Sequence, residues 1–377
     1  MAVPQTHRAL VLSSLSEPLK LTTLPIPTVV PGAVVVRILG TYVLPYLSSV
    51  LDGTLPYTLS LPMIPGANSI ARIHAVGPDA VSLKPGQLVL CDQTVRARDA
   101  PELSILMGLH GGAAKGLMDG EWRDGSFAEY ARFPLENVFA LDEEKLFGEL
   151  KYTVEDLVGL PGECLTPNLV PYGGLSEIGI EPGDTVIVAP ATGRFGGGAV
   201  TTALAMGATV VACGRNEATL KKMKAVFAST GRIETVILTG DAEKDAQLMV
   251  AASGNGGKGA DAYIDFSPAE AVASTHITAA LTALKPFGKA AFMGGIWGKV
   301  TLEYNVIMMK SLRIQIVHSD RCMVVQMIKM IEKGNLKLGE EGTGIKTVGK
   351  FGLDAIEEAL ELAKKESGWG KQVVLMP

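Results

Sequence analysis

At 377 residues the chain is long enough for two domains, each with its own core. Its net charge of −5 and the absence of any dense basic run argue against nucleic acid as a partner. The four cysteines stand far apart with no Cys-x-x-Cys pair, as buried thiols of a reducing compartment would. The N-terminus lacks the apolar stretch of a signal peptide. Residues 195–213 carry no charge, yet their glycines and threonines read as a buried helix and strand rather than a membrane span. A soluble, cytoplasmic protein with no membrane partner is expected.

Residues 1 to about 152 read as short strands between turns. The runs 9–12, 33–39, 69–76, 87–91 and 127–133 are separated by Pro31-Gly32, Gly77-Pro78 and Lys84-Pro85-Gly86. This spacing predicts a small all-β barrel or sandwich. Between Asp92 and Gly125 lies a glycine-rich segment, with a short helix expected near 101–107 and otherwise an extended loop. Loops of such length often carry function or an interface.

Thr153 ahead of Glu155 and Asp156 is a helix start, expected to open a second domain over 153–335. That domain is organised around Gly183 to Asn216, which reads as strand, glycine-rich turn, helix and strand. Residues 185–189 have the β-branched composition of a strand buried on both faces. Glycines at 193, 196, 197 and 198 then crowd a tight turn before the helix. Such a turn lets the backbone approach a pyrophosphate, and the free amides of the new helix favour negative charge. The spacing is Gly193-x-x-Gly196, with Pro190 where the commoner pattern has its first glycine, so a packing turn without ligand is the alternative. An NAD-binding unit usually carries an acidic residue about 20 residues after its first glycine. Here that place reads Cys213-Gly214-Arg215-Asn216. An arginine suits a 2′-phosphate and points to NADP(H); a solvated loop arginine is the competing reading.

Beyond this unit, helices are expected at 217–227, 242–252, 268–284 and 321–333, and strands at 235–238, 260–266, 289–293 and 312–317. Strands alternating with helices imply a doubly wound parallel sheet, an α/β domain beside the all-β one. A helix at 355–365 and a final strand at 371–376 would return to the β domain, giving domains of 1–152 with 336–377, and 153–335.

The order of elements and several phrases resemble the medium-chain dehydrogenase/reductase family. They are Pro65-Gly66-Ala67-Asn68, Lys84-Pro85-Gly86-Gln87-Leu88-Val89, Gly125-Ser126-Phe127-Ala128-Glu129-Tyr130, Pro182-Gly183-Asp184-Thr185-Val186 and Ala191-Thr192-Gly193-Arg194-Phe195-Gly196. The resemblance covers nearly the whole chain. It implies a GroES-like β domain with an inserted Rossmann domain, and an oxidoreductase acting on a small-molecule substrate. Zinc members of the family carry Gly-His-Glu where this chain has Gly66-Ala67-Asn68. Their zinc cysteine would fall near 43–45, which lacks cysteine, and their third ligand near Thr166, where only Cys164 is close. Catalytic zinc takes three protein ligands, so the resemblance is to the zinc-free quinone-oxidoreductase and enoyl-reductase branches, with no metal.

Without zinc, a substrate that spreads its developing charge is favoured: a conjugated enone, an enoyl group or a quinone. A zinc-free alcohol dehydrogenase and a non-catalytic NADPH-binding protein are the alternatives. Tyr42, Tyr46 and Tyr57 flank the segment that by resemblance lines the substrate pocket, and Asn68 replaces a zinc-shell residue as an amide donor. His110 in the long loop and His318 at a strand end are further candidates. On the cofactor side, Thr192, Gly193, Arg194, Phe195 and Gly196 should surround the pyrophosphate. Arg215 and Asn216, assisted by Lys221, should meet the 2′-phosphate. Ser267 is placed to flank adenosine, and Gly294, Gly295, Ile296 and Tyr172 to flank the nicotinamide by resemblance. The strands at 289–293 and 312–317 should lie toward one sheet edge, with the apolar run 306–309 between them. An open edge is an aggregation liability, so a homodimer pairing these edges is expected.

Overall fold

Ala33–Tyr42 extends into a strand buried at nearly every position, and the N-terminal sheet grows on both of its edges. The computed structural model describes residues 5–15, 17–159, 168–269, 271–296, 298–316 and 321–377. Contacts divide the chain into two units, Met1–Leu165 with Lys346–Ser367 and Lys371–Pro377, and Thr166–Ile345 with Gly368–Gly370. The first runs β1 (Thr6–Val11), β2 (Lys20–Pro25), β3 (Ala33–Tyr42), α1 (Leu47–Leu51), β4 (Ser69–Val76), β5 (Leu88–Cys91), β6 (Thr94–Arg96), β7 (Ser104–Leu106), α2 (Lys115–Asp119), β8 (Tyr130–Pro134), β9 (Val138–Ala140) and α3 (Val154–Val158).

The second unit holds α4 (Leu169–Glu177), β10 (Thr185–Ala189), α5 (Arg194–Ala205), β11 (Thr209–Gly214), α6 (Glu217–Val226), β12 (Ile233–Ile237), α7 (Ala242–Ala252), β13 (Ala260–Asp265) and α8 (His276–Ala283). It continues with β14 (Leu284–Phe292), α9 (Tyr304–Met309), β15 (Arg313–Ile316), α10 (Arg321–Glu332) and α11 (Gly339–Thr343). The chain then returns to the first unit as β16 (Lys346–Phe351), α12 (Ile356–Lys365) and β17 (Lys371–Leu375).

In the first unit β4 and β8 both pair antiparallel with β3, and β17 pairs with its last residues, Val374 opposite Tyr42 and Leu375 opposite Thr41. The C-terminal strand therefore completes the N-terminal sheet, as its expected return requires. Within the long loop, the helix expected near 101–107 is instead a small hairpin. β7 pairs with β6 and drives Ile105 into the core beside Val95 and Val36. The helical turn of this loop comes later, as α2. The helix start at Thr153 is a full capping box with Asp156. Yet α3 belongs to the first unit rather than opening the second. A Cβ at Gly40 would stand 2.9 Å from Val158 Cγ2, so the missing side chain on β3 is the socket for the apolar face of α3.

The second unit is a six-stranded parallel sheet in the order β12-β11-β10-β13-β14-β15. Chain direction around the sheet reverses between β10 and β13, which makes the ends of those strands the switch point where α/β sheets bind ligands. Period-two alternation sorts the strand residues onto two faces. Val186, Val188, Val210, Ala212 and Ile264 pack under α4, α5 and α6, while Ile187, Ala189, Val211, Cys213 and Tyr263 pack under α7 and α8. Helix α8 begins only at His276, later than the 268 expected, and β14 starts already at Leu284. Trp369 enters this unit as a plug, 8% exposed, against Phe227 and with Lys222 Nζ 5.5 Å over its ring.

A Cβ built on Gly197 would lie 1.9 Å from Trp369 Cδ1. Gly197→Ala should therefore cost about 1–3 kcal/mol through overpacking, measured by urea unfolding. In a Trp369→Ala background the same change should cost far less; equal costs in both backgrounds would show that the indole does not set the constraint.

Candidate active site

β10 is buried along its whole length and delivers the chain to the glycine turn at the switch point. A Cβ at Gly196 would stand 2.0 Å from the Pro190 carbonyl oxygen. Only glycine lets α5 start this close to the strand end. Gly193 is the helix N-cap, exposed, and a Cβ there would meet nothing within 4 Å. The turn thus has one closed side, packed on the strand, and one open side, where the first amides of α5 are free to meet an anion. Arg194 is the first residue of the helix, and desolvation pulls its guanidinium down to about 9. A guanidinium so poorly hydrated gains from an anionic neighbour. Phe195 is stacked on Phe266, with centroids 5.9 Å apart, so the turn and the end of β13 share one aromatic contact. Thr192 fills the gap that Gly214 leaves at the end of β11, where a Cβ would come within 2.7 Å of it.

A buried polar node closes the other side of the switch point. The Asp265 carboxylate, at the last residue of β13, accepts from Tyr263 Oη at 3.0 Å and from Ser267 Oγ at 2.5 Å. Tyr263 Oη also lies 3.2 Å from the Ala189 carbonyl oxygen, and His276 Nε2 is 2.8 Å from Ser267 Oγ. The node ties the ends of β10 and β13 to the start of α8. Burying a carboxylate is costly unless hydrogen bonds satisfy it, and here tyrosine, serine and histidine do so. Ser267, expected beside adenosine, has its hydroxyl committed to this node. Gly294 packs against it as well, since a Cβ would stand 2.4 Å from Asp265 Oδ2. Sequence reasoning missed Asp265 and His276. The available signal was a carboxylate ending a buried strand at the ligand-binding edge.

At the end of β11 the candidates divide. Arg215 is exposed, and no described residue pairs with it. Asn216 caps α6, its Oδ1 accepting from Thr219 N–H at 3.0 Å. Lys221 pairs with Glu217 at 2.7 Å. Tyr172, on α4, donates its hydroxyl to Gln326 Oε1 of α10 at 2.8 Å, a helix-to-helix tie rather than a free donor. Gly295 is exposed, and Ile296 is half-buried against the face of the sheet under α8. His318, Cys164 and Thr166 lie outside the described residues.

In the first unit three rings come together. Tyr46, the N-cap of α1, meets Tyr57 edge to face at 6.3 Å, and Tyr57 stacks on His110 at 4.6 Å. Tyr42 is buried at the end of β3. Asn68 is also buried, and its Oδ1 accepts from Gln93 N–H at 2.9 Å, which leaves the amide N–H groups as what it can offer. Among the described residues no group of three His, Cys, Asp or Glu stands close enough to hold a metal ion.

Two family models match the chain, the alcohol dehydrogenase GroES-like domain over residues 30–143 and zinc-binding dehydrogenase over residues 195–333. No curated protein sequence matches it. Solved structures with the same fold include AibC, with TM-score 0.77 and 20% identity over 99% of this chain and 96% of that one. An NAD-dependent alcohol dehydrogenase follows at 0.73 and 23%, over 98% and 99%. The short chain alcohol dehydrogenase rspB of E. coli CFT073, solved with NADH, superposes at 0.75 and 18%, over 99% and 100%.

The two turn glycines make opposite predictions. Gly193→Ala should leave thermal stability intact, because its methyl group meets no protein atom, yet weaken dinucleotide binding. Gly196→Ala should lower both, with an overpacking cost of about 1–3 kcal/mol. Calorimetric titration beside a melting curve separates them; unaltered affinity in Gly193→Ala would remove the turn from the binding site.

Proposed function

The chain belongs to the medium-chain dehydrogenase/reductase superfamily, a GroES-like β domain joined to a Rossmann domain, and on that premise we propose that it is an NADPH-dependent, zinc-independent reductase of conjugated carbonyl compounds. The observation that carries the cofactor reading is Arg215. Its exposed guanidinium follows the second strand of the dinucleotide unit without a described partner, while the nearest carboxylate in sequence, Glu217, is held by Lys221. A guanidinium meets a phosphate with paired, charge-assisted hydrogen bonds, whereas a carboxylate there would repel it. Asn216 keeps the start of α6 in place, so its role is to present Arg215. Thr192, Gly193, Arg194, Phe195 and Gly196 hold the pyrophosphate, and Gly294, Gly295 and Ile296 border the nicotinamide.

Bound NADPH supplies hydride. The chain's own task is to orient the acceptor and stabilise the negative charge that develops on it. In a conjugated carbonyl that charge is delocalised onto one oxygen across several bonds, so preorganised hydrogen-bond donors suffice where a simple ketone would call for a Lewis acid. Tyr46, Tyr57 and the amide of Asn68 are such donors, and buried Tyr42 supports them. These donors are amide and phenol groups rather than a set of thiolates, and this supports the zinc-independent reading.

Arg215→Ala should weaken NADPH by about 10- to 100-fold, the equivalent of one charged hydrogen-bonded contact of about 1.5–3 kcal/mol, with NADH unchanged. The same preparation, treated with a chelator, should still oxidise NADPH with enones or quinones. A wild type that prefers NADH would overturn the NADPH assignment. Activity confined to simple ketones, or lost with a removed zinc ion, would overturn the substrate and metal assignments. Binding without turnover on any acceptor would leave a nicotinamide-binding protein.

The active species is proposed to be a homodimer. β15 is the last strand of its sheet and pairs, among the described residues, only with β14. Beside it α9 exposes Tyr304 at 73% and Met309 at 77%. An open strand edge next to exposed apolar side chains is covered in soluble proteins, and a second copy of the same edge is self-complementary. Light scattering at micromolar concentration should give twice the chain mass, and Ile314→Lys should reduce it toward the monomer; a wild-type monomer would end the proposal.

A further inference from the structure

His110 sits in the long loop of the first unit, and the loop is built to hold its ring. The buried residues Met107 and Leu109, each 1% exposed, anchor the chain just ahead of it. Leu106 and His110 exchange backbone hydrogen bonds, each 2.8 Å, and Gly111 N–H donates to the Thr58 carbonyl at 2.7 Å. Thr58 N–H in turn donates to His110 Nδ1 at 3.0 Å. That last bond occupies the Nδ1 lone pair, so in the neutral ring the proton resides on Nε2. No described residue accepts from Nε2, and the ring is half-buried. Its face is stacked on Tyr57, which meets Tyr46 edge-on.

Resting on the reductase reading above, we infer that His110 is a catalytic residue. Its Nε2–H is a fixed, neutral hydrogen-bond donor to the carbonyl oxygen of the acceptor. The neutral form is the important one. Protonating Nδ1 would break the Thr58 bond, and transferring the Nε2 proton outright would create an imidazolate, so the ring stabilises charge without releasing its proton. Neutral imidazole serves as an electrophile of this kind in other enzymes. The long loop then has a definite purpose: it brings a donor of fixed tautomer to the two tyrosines. The assignment also restricts the acceptor, whose oxygen must be reachable beside stacked rings. This favours planar, conjugated carbonyl compounds and quinones.

The test uses the full chain with NADPH and whichever enone or quinone supports turnover. His110→Ala should lower kcat by about 100- to 1,000-fold, as loss of an oxyanion donor does, with NADPH affinity unchanged. His110→Gln, which keeps an N–H donor, should recover most of the loss; a merely structural ring would not be rescued this way. Nitrogen-15 NMR of histidine-labelled wild type should show the His110 ring with Nδ1 unprotonated, and Nε2 should shift when the acceptor is added. Full activity in His110→Ala while the wild type turns over overturns this assignment alone. A ring protonated at Nδ1 overturns it without reference to turnover. A wild type inactive on every carbonyl acceptor removes the reductase reading and the role of His110 together.

Discussion

Helix α5 starts so near the end of β10 that the space for a side chain at Gly196 is already held by the Pro190 carbonyl, 2.0 Å from where a Cβ would be. At the very next residue, the corresponding space at Gly197 is held by the Trp369 indole. Two glycines thus allow the helix to be clamped between the sheet and a tryptophan. The arrangement of the switch point follows from this. With α5 fixed, the open side of the turn at Gly193 faces outward, Thr192 drops into the gap at Gly214, and Phe195 reaches Phe266. Loosening the clamp would release the helix N-terminus, the element whose free amides are suited to an anion.

The buried node around Asp265 complements the clamp. Tyr263 bridges from the Asp265 carboxylate to the Ala189 carbonyl, so the two strands that border the switch point are joined by side chains as well as by the ladder between them. Ser267 and His276 complete the carboxylate's partners. Such a network is rigid when all its members are satisfied. It explains why Gly294 has no room for a side chain and why Ser267 has no hydroxyl to spare for a cofactor. The residues assigned to ligand contact are therefore mainly those with open space or unpaired groups: Gly193, Gly295 and Arg215.

In the first unit, the candidate residues concentrate where regular structure is thinnest. The long loop has little secondary structure beyond the β6–β7 hairpin and one turn of α2. Even so, its hydrogen bonds to Thr58 and its buried Met107 and Leu109 hold His110 in one orientation. A loop anchored by apolar side chains close to a polar ring can be as well defined as a strand. Tyr42 and Asn68 are buried, whereas Tyr46, Tyr57 and His110 form a partly exposed wall.

The sequence by itself determined the parallel sheet, the glycine turn, the arginine in place of a carboxylate and the return of the C-terminal strand. All of these are local signals, written in periodicity, in glycine and proline positions, or in the charge at a strand end. Tertiary structure alone decided which candidates remain free to act. Asn216 and Lys221 were drawn to local partners, a cap and a salt bridge, and Ser267 and Tyr172 to partners set by the fold. The helix at Thr153 was legible, but its place in the first unit depended on a socket at Gly40 more than a hundred positions earlier. Trp369 and Gly197 stand 172 positions apart (369 − 197 = 172), as neighbours in one clamp. No local pattern encodes such pairings, because a side chain's partners are settled by close packing in three dimensions, and packing is felt only once the elements have been assembled.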